Sequence, residues 1–411
     1  MNGIGRPGGR RSALAVNLAI LLTGLALVGL AIAAGRGWAD RHFLPTFAWS
    51  RDFQMRIVLM LRALLGSLGL FVIFVMRPRV VRAVAAGRGR QMALTAFSAL
   101  LAIVAAIGTT EAVLRTKTWR ATQEHWGSQE PIRQPDRELG WKFVPDHAGR
   151  ARFLARSVAY ATDNRGYRVN AVGDRFSPQA PTIVFAGESI LFGYGLQWRD
   201  SVPTRAAAMT GVQAVNISVN AYANDQIYLR LRRELPRFQR PVAVVVPFVP
   251  MLFDRNLDRD RPYLDEALRW QAGRPPPWRL VELMRRMARY RGEAEIERGV
   301  ATTRRILLAT VALVRSRHAQ PIIVVPQYMP EEPTERAIRR RVLDEAGIAY
   351  VLVRLAPGWR IETDRHPDAR GAQAIAAAIA QRLDPERRPG MIRAPGVAAP
   401  VSTAAAGAGS G

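Results

Sequence analysis

Residues 13–34, ALAVNLAILLTGLALVGLAIAA, hold no charged side chain, and this constrains the chain more than any other feature. A helix rises about 1.5 Å per residue, so the run is long enough to cross a hydrocarbon core of roughly 30 Å. Two more apolar runs follow, residues 57–76, broken only by Arg62, and residues 91–110. None has a polar face, so none reads as an amphipathic helix of a soluble domain. The pattern predicts three membrane helices over about 13–34, 57–76 and 91–112, which makes residues 1–115 a membrane region. Arg62 reads as a side chain that snorkels to the interface, with a contact to a partner or a lipid headgroup as the other option.

Arginines in the short loops set the orientation. The N-terminal tail carries Arg6, Arg10 and Arg11, and the loop between the second and third helices carries Arg77, Arg79, Arg82, Arg88 and Arg90. The loop between the first two helices carries Arg36, Arg41, Arg51 and Arg56, offset by Asp40 and Asp52. The tail and the second loop therefore belong inside, the third helix leads out, and everything after residue 115 is expected outside the cytoplasm. The start MNGIGRPGGRR with its apolar run also resembles a signal peptide. The run is long for one, so an anchor is the preferred reading, and cleavage would leave the later residues on the same side.

The formal net charge of +26 would ordinarily point to nucleic acid or an anionic surface. Here all the basic residues but Lys117 and Lys142 are arginines, scattered and without interleaved aromatics. That argues against nucleic acid and suits attraction to a bilayer with anionic lipid. The chain has no cysteine, which excludes disulfides, thiolate metal sites and a cysteine nucleophile.

From residue 181 to 385 short Val- and Ile-rich runs alternate with helical patterns. The expected strands are 182–186, 213–217, 242–248, 321–326 and 349–353, and the expected helices are 201–209, 223–235, 277–317, 333–345 and 369–383. Unalternating apolar strands are those buried on both faces of a parallel sheet. The order predicts a three-layer α/β/α domain with a five-stranded parallel sheet, and a site beyond the carboxyl ends of its strands. Residues 116–180 read as a less regular lead-in, and the Ala-, Gly- and Pro-rich residues 386–411 as a disordered tail.

The first expected strand is followed by Gly187-Glu188-Ser189-Ile190-Leu191-Phe192-Gly193. A serine on a tight turn at a strand's carboxyl end exposes its hydroxyl as a nucleophile. Alone this is a weak sign, because many Gly-x-Ser turns are structural. A second constellation stands before the last helix, Asp364-Arg365-His366-Pro367-Asp368, and it holds one of only five histidines. A serine needs a base to take its proton, and the base needs a carboxylate to fix its tautomer. Asp368 reads as the cap of the following helix. The histidines show no metal-ligand spacing, so neither metal nor other cofactor is expected.

Gly187-Glu188-Ser189 with Phe192-Gly193 resembles block I of the SGNH/GDSL hydrolase superfamily. Asn216-Ile217-Ser218-Val219-Asn220-Ala221 is similar to block II, and Asp364-Arg365-His366-Pro367 with Gly371 to the final block. Leu139-Gly140-Trp141 and Asp163-Asn164-Arg165-Gly166-Tyr167-Arg168 resemble the lead-in of membrane-linked bacterial members, and the likeness covers about residues 135–385. It implies Ser189 as nucleophile, His366 as general base and Asp364 as orienting carboxylate, with the N–H groups of Ser189 and Ala221 meeting the oxyanion. At block III, Asp254 fits the usual Asp and Phe253 takes the place of the usual Asn, which leaves Asn256 as a substitute donor. The implied protein is a multi-pass member of a bacterial inner membrane whose periplasmic domain cleaves or transfers acyl esters. The bilayer, an O-acylated glycan or lipid substrate, and a membrane acyltransferase would be its partners. A second reading is a catalytically degraded module that binds carbohydrate or assembles an envelope complex.

Overall fold

The computed structural model describes residues 7–45, 50–116, 133–153, 156–274, 277–328, 330–362 and 365–383. The expected tail 386–411 lies outside the described residues, and so does Asp364. The chain divides into two compact units, residues 1–122 with 277–291, and residues 123–276 with 292–411.

In the first unit, α1 (Pro7–Ala33) leads to the short α2 (Arg36–His42). Helix α3 (Arg51–Phe71) runs through a π-helical turn, Val72–Met76, into α4 (Arg77–Ala85), and α5 spans Gly89–Leu114. Three stretches, Ala13–Ala33, Arg51–Ala85 and Gly89–Leu114, are long and apolar enough to cross a membrane. The second exceeds the expected 57–76 at both ends. Ser50 starts it by accepting the Phe53 N–H at 3.3 Å, and left-handed Gly87 ends it. Polar first and last turns extend a helix beyond the part that apolarity reveals.

Two glycines bring α1 and α3 together. A Cβ at Gly69 would stand 2.8 Å from the Gly24 carbonyl oxygen, and one at Gly24 would stand 2.4 Å from Ile73. Small residues at such a crossing let backbones approach closely inside lipid. Arg62 makes one hydrogen bond to the end of α1. Its Nε donates to the Ala31 carbonyl at 2.9 Å, one of the last four of α1, which have no partner within the helix. At the other end of this pair Arg77 Nε donates to Asn17 Oδ1 at 2.7 Å.

The second unit opens with a hairpin, β1 (Arg133–Asp136) and β2 (Gly140–Phe143), then β3 (Ala148–Phe153), β4 (Arg156–Thr162) and β5 (Arg168–Val169). Next come β6 (Thr182–Phe185), α6 (Ser189–Phe192), α7 (Val202–Thr210), β7 (Gln213–Asn216), α8 (Asn224–Glu234) and β8 (Pro241–Pro247). A 3₁₀ turn at Pro250–Leu257 and a two-stranded ribbon, β9 (Tyr263–Leu264) with β10 (Trp270–Gln271), follow. Helices α9 (Arg279–Ala288) and α10 (Glu293–Arg315) precede β11 (Gln320–Gln327), α11 (Pro333–Arg339), β12 (Tyr350–Arg354) and α12 (Ala369–Leu383).

The main sheet runs β12-β11-β8-β6-β7-β5-β4-β3. Its five expected strands are present and parallel, with Val184 opposite both Val215 and Val244. The sheet has eight strands rather than five, because the lead-in adds β5, β4 and β3 antiparallel along the β7 edge. In chain order the parallel strands sit 5-4-3-1-2, so crossovers depart in opposite directions on either side of β6. Right-handed crossovers therefore place helices on both faces. Accordingly α12 packs on α7, and α10 packs on α8. Ile183, Val184, Phe185 and Val244–Val246 are buried between these layers.

The helical stretch expected over 277–317 is two helices. Arg289 is left-handed, with φ 53°, and the residues after it pair with backbone far away. Arg289 O accepts the Leu44 N–H at 3.1 Å, and Arg291 N–H donates to His42 O at 2.8 Å. An unbroken helix would have used those groups internally.

Replacing Gly69 with Leu forces side-chain carbons into the Gly24 contact, and overpacking of this kind costs about 1–3 kcal/mol. The full-length Gly69→Leu protein in detergent is expected to melt several degrees below wild type. An unchanged melting temperature would refute the close packing of α1 on α3.

Candidate active site

Strand β6 ends at Phe185, and the backbone turns through Gly187 so that Ser189 becomes the first residue of α6. A Cβ on Gly187 would meet Leu191 at 2.9 Å, so the turn closes tightly only with glycine. Glu188 caps α6, its Oε2 accepting the Ile190 N–H at 3.0 Å. The α6 backbone ends at left-handed Gly193, whose N–H and that of Tyr194 close on the Ser189 carbonyl at 3.0 and 2.9 Å.

The loop after β7 is stitched to this turn. Ile217 N–H donates to Phe185 O at 2.9 Å and Val219 N–H to Gly187 O at 3.0 Å. The buried Asn216 side chain donates to the Leu191 carbonyl at 3.0 Å. Ala221 is left-handed at φ 65°, a conformation that glycine adopts without strain and alanine does not. The N–H groups of Ser189 and Ala221 donate to no protein acceptor among the described residues. The Asn220 side chain in the same loop is buried, and both its polar atoms lack a partner among the described residues.

His366 arrives from the loop before α12. That loop is shaped by the Ile361 N–H to His366 O bond at 2.9 Å and by Asp368 N–H to Trp359 O at 3.1 Å. Asp368 also caps α12, its Oδ1 accepting the N–H groups of Arg370 and Gly371 at 2.9 and 3.0 Å. The structure brings Ser189 and His366 together across 177 positions of sequence, with His366 Nε2 2.7 Å from Ser189 Oγ. The Tyr194 ring packs on the imidazole with centroids 4.8 Å apart.

Sequence reasoning did not foresee the part taken by Glu188. Its Oε2 lies 2.6 Å from Ser189 Oγ, and the residue is buried. A hydroxyl has one proton, so Ser189 donates to Glu188 or to His366 at any moment, not to both. The carboxylate holds the hydroxyl in place and also competes with the base for its proton.

Arg168 is a second residue that the motifs alone did not place. It is fully buried and has no carboxylate partner among the described residues. Its guanidinium donates to the carbonyls of Phe192, of Gly193 at 2.7 Å and of Leu196 at 2.6 Å. It also stacks on the Tyr160 and Phe192 rings at 4.7 and 4.8 Å. Burial lowers its pKa to about 10, which leaves it charged at neutral pH. Arg168 thus fixes the chain leaving the nucleophile turn.

Asn256, the expected substitute donor, does not serve the site. Its Nδ2 donates to Asn224 Oδ1 at 3.1 Å and to Thr303 Oγ1 at 3.0 Å, and its Oδ1 accepts the Asn224 N–H at 2.9 Å. Both amide protons are taken, so the residue fastens the Pro250–Leu257 turn to α8 and α10. Phe253 is buried beside Gly299. No group of three or more metal-ligand side chains is found among the described residues.

No family model and no curated protein matches the chain. Among solved structures it is similar to a GDSL-like lipase from Bacteroides thetaiotaomicron, at 15% identity over 52% of this chain and 93% of that one, with TM-score 0.29. It is similar to a carbohydrate acetylesterase family member from Sinorhizobium meliloti, at 12% identity over 49% and 97%, with TM-score 0.31. It is also similar to a lipolytic G-D-S-L family member from Veillonella parvula, at 10% identity over 49% and 97%, with TM-score 0.30. Each overlap is loose, and the α/β assignment rests on the strand order described above.

Arg168→Ala leaves three buried carbonyls without their charged donor, and is expected to cost about 3 kcal/mol or more in denaturant unfolding. A loss below about 1 kcal/mol would contradict the clamp. Glu188→Gln keeps an oxygen acceptor for Ile190 and replaces the carboxylate that competes for the Ser189 proton with a neutral, weaker acceptor. At neutral pH it is expected to react with a fluorophosphonate at least as fast as wild type; slower labelling would show that the carboxylate assists the nucleophile.

Proposed function

We propose that this chain is a membrane-anchored serine esterase of the SGNH/GDSL type, acting on acyl esters of a glycan or lipid outside the cytoplasm. The observation that carries this reading is the 2.7 Å approach of His366 Nε2 to Ser189 Oγ at the carboxyl end of a central parallel strand. In the proposed reaction His366 takes the Ser189 proton as Oγ attacks the ester carbonyl carbon. The N–H groups of Ser189 and Ala221 receive the oxyanion, and Asn220 is the candidate for a third donor. His366 returns the proton to the leaving alkoxide, and water or an acceptor hydroxyl then resolves the acyl-enzyme. Asp364 keeps the role of orienting carboxylate that the resemblance gives it.

The proposed topology draws support from the first unit. The segment that follows α1 and the last turn of α5 both bond to the segment 277–291. Those ends share one side, as three crossings require. The acylated glycan or lipid, and a membrane acyltransferase as partner, belong to the same proposal. The non-catalytic reading is not favoured, because a binding role has no need of a serine in hydrogen-bond contact with a histidine.

The test is hydrolysis of p-nitrophenyl acetate by the full-length protein in detergent. Ser189→Ala and His366→Ala are each expected to lower kcat by roughly 10³-fold or more, and wild-type rates in either would sink the proposal. Asn220→Ala is expected to lower kcat by about 10²-fold with little change in KM, the signature of a lost oxyanion donor. A rise in KM alone would remove Asn220 from that role.

A further inference from the structure

The segment Pro277–Arg291 interrupts the α/β unit in sequence and belongs to the membrane unit. Both its ends are fastened there. Glu111, in the last turn of α5, accepts the N–H groups of Arg279 and Leu280, each at 2.9 Å. Arg115 donates to Glu111 at 2.7 Å and also to the Pro277 carbonyl. At the far end Arg289 and Arg291 pair with Leu44 and His42. Rings gather there: Tyr290 lies 5.8 Å from Trp38, 5.9 Å from His42 and 5.6 Å from Phe43, centre to centre. Helix α9 is therefore pinned to the level at which the candidate spans end.

Its outward face is apolar. Trp278, Val281 and Met284 recur every third residue and are 53%, 47% and 61% exposed. The segment's one acid, Glu282, is paired with Arg279 at 3.3 Å, and its sequence adds Arg285, Arg286, Arg289 and Arg291. An apolar stripe with Trp and Tyr, beside a surplus of arginine and at the end of a span, matches the boundary between acyl chains and anionic headgroups.

We propose that α9 is an interfacial helix, lying in the headgroup plane with Trp278, Val281 and Met284 in the upper acyl region of an anionic bilayer. The proposal rests on the three long helices being spans and is independent of catalysis. Its partner is lipid, because both ends of its segment are tied to the ends of the long helices and its arginine surplus suits anionic headgroups.

The absence of cysteine from the chain makes a direct test possible. Met284→Cys, labelled with an environment-sensitive fluorophore, is reconstituted full-length in phosphatidylethanolamine–phosphatidylglycerol vesicles. Leu101→Cys in α5 reports the hydrocarbon core, and Val172→Cys, on an exposed loop of the other unit, reports water. Lipids bearing a nitroxide at the headgroup are expected to quench the residue 284 label about twofold or more, and deep-chain nitroxides to quench it less. Iodide is expected to spare it while quenching residue 172. Iodide quenching at 284 without lipid quenching, with residue 101 still reporting lipid, overturns the interfacial helix alone. Shielding of 284 from both quenchers means that protein covers the face, and overturns it too. Failure of residue 101 to report lipid overturns the spans and this proposal together. Trp278→Cys repeats the measurement if Met284→Cys does not fold.

Discussion

Strand β6 is where the parallel sheet changes direction, and the arrangement of the second unit follows from that reversal. The chain runs from β6 to β7 on one side and then back past β6 to β8 on the other, the arrangement in which an open α/β sheet forms its crevice beyond the carboxyl ends of the strands. Chain entering such a crevice must end its strand hydrogen bonds abruptly. Gly187, the Glu188 cap and left-handed Gly193 are how this sequence does so. Ser189 stands at the start of a single helical turn, which left-handed Gly193 ends and Arg168 holds from its far side.

Two buried cations, Arg168 and Arg230, tie down that turn and the loop beside it through backbone carbonyls. Arg168 spends its donors on carbonyls of the nucleophile loop. Arg230 Nε donates to Ile217 O at 2.6 Å in the neighbouring loop. A guanidinium suits such work, since its fork of donors reaches several carbonyls at once and stays charged when buried. Part of the chain's large positive charge is thus internal framework rather than a surface for anions.

The parallel strands were legible because burial on both faces writes itself as unbroken runs such as Val244-Val245-Val246. The three antiparallel strands were not, because an edge ribbon half open to solvent tolerates arginines, as in Ala148–Phe153 and Arg156–Thr162, and reads as irregular chain. The break at Arg289 was invisible for a different reason. It is made by pairing with His42 and Leu44, and nothing local distinguishes it from a helix that continues. Within the site, the motifs pointed to Ser189 and His366, but they gave no hint that Glu188 would face the serine hydroxyl or that Asn256 would be consumed by Asn224 and Thr303. Those outcomes depend on which groups meet after folding.

The chain passes between its two units three times, near residues 122, 276 and 291. Synthesis therefore cannot finish the first unit when α5 is made. Its last piece is supplied only after more than half of the chain has emerged, and β11, β12, α12 and His366 come later still. Maturation of the two units is interleaved in time. No single cut of the backbone can release the α/β unit without either carrying a strip of the first unit with it or leaving its own strands behind.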